Sequence, residues 1–335
     1  MFHSAANPII RLVFAPILLL FYLQFNGVAM PMLAPIFVVI FLTIMPSKPP
    51  VSLLLKLLLV MFFISFIVVN LGEILVDTPT GFALFCWALL FLSYYRSHRD
   101  PKDILSTLTL MVVIIMAVMT KQMGVSASVL PWLMFEALII AIVVTSLSFL
   151  IFPGDEQDIQ PDEQSQEKTS AHITLIIFKA TAMSLVLAAL IGTGSSQSIL
   201  IAITISSMIK TPIQHEQKTF SHNRLITTTV GILFTVPVML LFMFDVQIWV
   251  VLGVTLFCGI QLACYAIRCN CRLSIYQLLF TNFTVLTYQI IKNQGTDSMS
   301  AELTRLVSII IAIFIGVLIL NVGKSVDSRV SAKSC

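Results

Sequence analysis

One carboxylate, Glu136, lies inside an otherwise apolar run at 129–152. A charged carboxylate at the centre of a bilayer costs about 2.5–3.5 kcal/mol on insertion scales, and less near an interface. Glu136 sits about two helical turns from one end of its run. Arg305, with Glu302 one turn before it, occupies the corresponding place near the end of the chain. A carboxylate and a guanidinium so placed form a proton or substrate switch if they meet in a membrane interior. The plainer reading is an interfacial residue reaching the headgroups, or a structural pair.

Three further groups of residues carry polar chemistry in apolar surroundings. Arg11 and Lys179 sit near the starts of two apolar runs 168 positions apart. There they either attract an anion into a vestibule or snorkel to headgroups. Gln277, Thr281, Thr284 and Tyr288 are spaced 4, 3 and 4 apart, which puts them on one face of a helix. Such a stripe lines a solute path or glues two helices together. Pro31 and Pro35 interrupt the second apolar run, and the short run at 195–209 follows Gly192 and Gly194. Short or broken segments at corresponding places in two halves point to a transporter's midplane site. An ordinary proline kink and a tight hairpin are the alternative.

Other constellations carry less. Cys269 and Cys271 lie in one loop and His215 and His222 in another. A metal would need the two loops to meet, so no metal and no cofactor is assigned. Asp100-Pro101-Lys102-Asp103 spaces two carboxylates at a membrane face but reads as a capped helix start at Ile104. No phosphate loop, nucleophile elbow or zinc motif occurs. The chain is therefore not expected to be an enzyme. A membrane enzyme acting on lipid-linked substrates and a non-transporting scaffold are the competing classes.

The elements that must position these residues are membrane helices. Hydrophobic residues make up 58% of the 335 residues and charged residues only 10%. A soluble domain would be about a quarter charged. The net charge of +3 gives no nucleic-acid footprint. Twelve apolar runs are long enough, or nearly so, to cross a bilayer: 8–25, 28–45, 51–75, 81–95, 104–120, 129–152, 173–191, 195–209, 225–244, 246–267, 273–291 and 303–322. The first is followed by Asn26-Gly27 and not by a cleavage site, so it reads as a retained helix. Six cysteines show no disulfide-framework spacing.

Sorting the loops by side places sixteen of the 19 Lys and Arg on one face, with Lys121, Lys292 and Arg305 on the other. That bias puts both termini in the cytoplasm. The expected organisation is a first six-helix block at 1–153, an acidic cytoplasmic linker at 154–171, a second block at 172–323 and a cytoplasmic tail at 324–335. Matches between the blocks favour duplication. Arg11 matches Lys179, and Leu84-Phe85-Cys86 matches Leu256-Phe257-Cys258. Arg96 matches Arg268, and Pro46 matches Pro212. The fold class is thus an all-α polytopic membrane protein of about twelve transmembrane helices in two parallel six-helix repeats.

Two six-helix halves, a basic residue near the start of the first and seventh helices, and basic ends on the fourth and tenth resemble one known group. This is the fusaric-acid-resistance and aromatic-acid-exporter superfamily of bacterial inner membranes. The short acidic linker stands where longer members carry soluble domains, so the chain resembles a compact branch. The resemblance implies a secondary transporter or efflux permease for small organic, often aromatic, acids. It also implies a periplasmic adaptor protein as partner. Proton coupling, a homo-oligomer and a multi-pass place in the inner membrane complete the expectation.

Overall fold

The computed structural model describes residues 6–28, 30–44, 51–99, 103–154, 173–194, 197–210, 214–244, 246–269, 271–293, 304 and 307–322. These residues are almost entirely helical. The helices are α1 (Asn7–Phe25), α2 (Leu33–Ile44), α3 (Val51–Leu75), α4 (Pro79–Arg99), α5 (Ile104–Lys121) and α6 (Leu130–Ile151). They continue as α7 (Ile173–Thr193), α8 (Ser198–Lys210), α9 (Gln214–Met243), α10 (Ile248–Arg268), α11 (Leu273–Asn293) and α12 (Val307–Val322). Six of them are long and apolar enough to cross a membrane. On α12 the exposed residues Val307, Ile310, Ile311, Phe314, Val317 and Leu318 form an apolar stripe at helical spacing. A bilayer solvates such a stripe, whereas water does not. The chain is a multi-pass membrane protein on these grounds.

Local chemistry sets the ends. Gly27 closes α1 at φ 67° and Gly194 closes α7 at φ 65°. Both occupy the left-handed region that only glycine enters without strain. After α1 the Val28 N–H donates to Leu23 O at 3.2 Å, the long bond of a Schellman cap. Asp103 caps α5, accepting from the Leu105 N–H at 3.2 Å, as a capped helix start requires. Pro79 opens α4, at a position whose N–H has no helical partner in any case.

Two elements differ from the sequence expectation. The second helix begins at Leu33 and not at 28, so Pro31 precedes it and Pro35 lies in its first turn. Neither proline kinks α2, because a first-turn proline forfeits no intrahelical bond. The result is a helix of 12 residues, with a counterpart α8 of 13. At about 1.5 Å per residue each spans roughly 20 Å, well short of the hydrocarbon core of about 30 Å. Conversely α9 is 30 residues long and starts well before the apolar run.

The chain divides into two compact units, which do not coincide with its two halves. Unit 1 comprises Met1–Leu58, Leu133–Gln164 and Asn223–Leu306, and unit 2 comprises Leu59–Trp132, Ser165–His222 and Val307–Cys335. In unit 1, α1 packs on α2 and α10, and α11 packs on α2 and α10. Leu12, Ile17, Leu20, Val38, Leu42, Leu262 and Phe283 fill that core. In unit 2, α7 packs on α8 and α4, and α5 packs on α8 and α4. Leu90, Val113, Met116, Ala180, Met183, Ala202 and Ile205 fill the second core. Each unit therefore sets the first two helices of one half against the fourth and fifth of the other. Cys86 in unit 2 and Cys258 in unit 1, matched in sequence, are each 6% exposed.

Arg305, Pro46, Pro212, most of the acidic linker and the C-terminal tail lie outside the described residues, as does the side chain of His215.

Candidate functional site

The first two turns of α1 and α7 each bury a cation. Arg11 is 0% exposed and Lys179 is 4% exposed, so neither extends to the surface as a snorkelling residue does. Their surroundings differ in kind.

Arg11 closes the end of α6 within unit 1. Its Nη1 donates to the carbonyls of Gly154 at 2.5 Å and Phe152 at 3.4 Å. The guanidinium lies 4.0 Å from the centre of the Phe149 ring. Asn7 Nδ2 donates to Pro153 O at 2.7 Å beside it. The last carbonyls of a helix have no intrahelical donor and carry partial negative charge. The guanidinium is thus matched by carbonyls of the residues that follow the end of α6 and by an aromatic face. A mostly apolar groove of about 450 Å³ between α1 and α6 is lined by Arg11, Phe14, Leu18, Tyr22, Leu147 and Ile151, among others.

Lys179 sits in unit 2 against the end of α4. Its Nζ lies 3.3 Å from His98 Nε2, and His98 Nδ1 lies 3.2 Å from Tyr94 O. A carbonyl only accepts, so Nδ1 carries the hydrogen. The Nε2 lone pair then accepts from the ammonium. Tyr94, fully buried, pairs its hydroxyl with Ser206 of α8 at 3.1 Å. Ser106 of α5 donates to Ser93 O at 2.9 Å, and Trp87 Nε1 donates to Thr181 Oγ1 of α7 at 3.1 Å. These contacts join α4 to α5, α7 and α8, those of Ser93, Tyr94 and His98 towards the C-terminal end of α4. Lys210 donates to Thr107 at 2.5 Å there, and Arg99 stacks 5.3 Å from the Tyr95 ring centre. Arg96 forms an ion pair with Asp103 at 2.8 Å, the one salt bridge among the described residues. Partial burial pushes the Asp103 carboxyl up. The Arg96 hydrogen bond and charge, with the backbone N–H groups of Leu105 and Ser106, outweigh it and hold the pKa below its usual value.

The remaining sequence-derived residues are not drawn into that cluster. Glu136 is exposed on α6, one turn beyond exposed Trp132. On α11, Thr281 and Thr284 return their hydroxyls to their own helix, at Gln277 O (2.8 Å) and Phe280 O (2.9 Å). Tyr288 carries Lys292 5.9 Å from its ring centre. The interhelical polar contact comes from the adjoining Asn282, which donates to Thr227 and Thr228 of α9 at 3.3 and 3.2 Å. Cys269 and His222 are exposed, and no metal-holding group of three His, Cys, Asp or Glu occurs among the described residues.

His98, Tyr94, Ser206 and Glu73 went unremarked in the sequence. His98 stands among arginines at a helix end and reads there as part of a basic loop. Its spacing of four from Tyr94 is the only local signal. Glu73, near the end of α3, accepts from the Ser126 hydroxyl and from the Ser128 N–H at 2.8 Å, capping the 3-10 turn before α6.

A family model described as a protein of unknown function (DUF2955) matches residues 8–148, from the start of α1 to the end of α6. No curated protein and no solved structure matches the chain.

Proposed function

We propose that this protein is a secondary transporter that carries small organic anions, aromatic carboxylates among them, together with a proton. The observation that carries this reading is the pair of half-length helices α2 and α8. Each follows a helix that buries a cation, and each sits in the core of its own unit. Paired short helices at corresponding places in two halves are the mark of a transporter's central site. A buried cation is costly wherever water is excluded, which argues for a use beyond packing at Lys179.

The parallel six-plus-six architecture belongs to the same proposal. It is supported by the matched packing of the two units, and by glycine caps 167 positions apart at Gly27 and Gly194. It is also supported by a family match that spans one block of six helices. The expected setting is a bacterial inner membrane with both termini cytoplasmic and a homo-oligomeric assembly; a proton carried with each anion drives it towards the more alkaline cytoplasm, so this reading is of uptake and not of the adaptor-linked efflux that the resemblance implies. The resemblance to the aromatic-acid exporters supplies the substrate class.

We place proton coupling away from Glu136. Its exposed side chain supports the interfacial reading, and a pair with Arg305 remains a second candidate. Cells lacking the protein should accumulate less labelled benzoate from a mildly acidic medium, and a plasmid copy should restore the accumulation. Unchanged accumulation across a panel of carboxylates would count against the reading. Reporter fusions after Gly154 and at the C-terminus should read cytoplasmic, and fusions near Val125 and Thr296 periplasmic. A periplasmic linker would overturn the parallel repeat.

A further inference from the structure

The two matched cations have parted in role. Arg11 is compensated by carbonyls that follow the end of α6 and by a ring, whereas Lys179 has a neutral imidazole as its hydrogen-bond partner. Among the described residues, the charged and titratable groups near His98 on the elements packed around it are few. On α4 they are Tyr94, Tyr95, Arg96 and Arg99. On α7 there is Lys179, at the near end of α5 Asp103, and on α8 Lys210. Four of these are cations, and the single carboxylate among these described residues is already bound to Arg96. Lys179 is buried while His98 is only half-buried, so the imidazole is the accessible edge of the pair.

We propose that Lys179 and His98 form an anion site at which one carboxylate or similar oxyanion binds together with one proton. This rests on the transport reading and gives it a site. In the empty state one excess proton lies on the Nζ–H···Nε2 bond. Two full positive charges 3.3 Å apart repel strongly where water is scarce. A carboxylate entering beside them removes that repulsion. The Nζ–H turns to one carboxylate oxygen, and His98 Nε2 takes a proton from bulk water and offers it to the other. Nδ1–H keeps its bond to Tyr94 O throughout. The site's net charge is +1 before and +1 after, because the added proton cancels the added anion. Release on the far side returns both. The transported pair is neutral, so a pH gradient drives it and a membrane voltage does not.

The test uses the purified full chain in detergent, with benzoate as probe. Binding is measured by calorimetry, and proton uptake with a pH dye in weak buffer. Wild-type protein should take up about one proton per benzoate, with affinity falling about tenfold per pH unit above neutrality. His98→Gln keeps an acceptor for Lys179 but cannot gain a proton. It should bind more weakly, with no pH dependence and no proton uptake. Lys179→Met should lose binding, and Lys179→Arg should retain it, which separates loss of charge from loss of fold. Proton uptake persisting in His98→Gln, or Lys179→Met binding within twofold of wild type, would overturn the site. The titration is repeated in nanodiscs of phosphatidylcholine with and without phosphatidylglycerol. Benzoate binding abolished by the anionic lipid would make a headgroup the occupant and also overturn it. Benzoate flux in vesicles without these signatures would leave transport standing and move the anion elsewhere. Neither flux nor binding of benzoate, acetate or octanoate would remove both.

Discussion

Replacing each of these two buried cations by methionine should cost stability at Arg11 and little or none at Lys179. Arg11→Met removes a 2.5 Å hydrogen bond to Gly154 O, a longer one to Phe152 O, and a ring contact at 4.0 Å. A hydrogen bond from a charged donor contributes about 1.5–3 kcal/mol, and a desolvated cation–π contact about 1 kcal/mol. The 3.4 Å bond adds little, so unit 1 should lose about 2–4 kcal/mol. Lys179→Met removes one hydrogen bond to imidazole, but it also removes a buried ammonium with no carboxylate beside it among the described residues. The desolvation of such a charge costs several kcal/mol, so the two effects nearly cancel and methionine is neutral or stabilising. The half-buried His98 Nε2 left behind can take water. Equilibrium unfolding in mixed micelles, followed by circular dichroism, measures both variants. A Lys179→Met variant destabilised as much as Arg11→Met would refute the argument, because Lys179 would then be a structural cation like its counterpart.

Four other variants probe packing, pH and coupling. An added Cβ at Gly259 would lie 2.7 Å from Val13 Cγ1 and 3.2 Å from Ile17 Cδ1, and one at Gly316 would lie 2.9 Å from Met208 Sδ. A β-branched neighbour cannot swing away and a methionine can. Gly259→Ala should therefore cost about 1–3 kcal/mol and Gly316→Ala less, by the same unfolding assay; equal costs would contradict this. Asp103 has its pKa held below 3.8, so the stability it lends the α4–α5 turn is present above that pH and lost as pH falls through its lowered value. Hydrogen exchange of the turn between pH 6 and pH 2.5 should show the loss in wild type and not in Asp103→Asn. Glu136→Gln should keep gradient-driven flux, since the side chain is exposed; flux lost with normal insertion would return coupling to Glu136.

The helices were legible because lipid imposes one rule on every spanning segment, a long apolar run with its backbone satisfied internally. Thus α3 runs over 51–75, as its apolar run predicts. The expected second helix was too long because Val28 and Met30 are as apolar as the helix that follows, and hydropathy does not separate helix from turn. The apolar stretch understated α9 for the converse reason: its first two turns are polar yet helical. The matched cations were visible from sequence, but which one is compensated depends on what packs against it. Gly154 and His98 are 143 and 81 positions from Arg11 and Lys179 respectively, beyond the reach of local spacing. The exchange of helix pairs between the halves is likewise a long-range fact. Six apolar runs in a half do not say which of them pack together.

The most direct test of the central claim is benzoate flux into vesicles containing the purified protein, with pH gradient and voltage set independently. An imposed pH gradient at zero voltage should drive accumulation. A potassium–valinomycin potential at equal pH should drive none, and His98→Gln should abolish the pH response. Accumulation that follows voltage and ignores pH would contradict the proton-coupled account, and no protein-dependent accumulation under either gradient would contradict transport of the carboxylate itself.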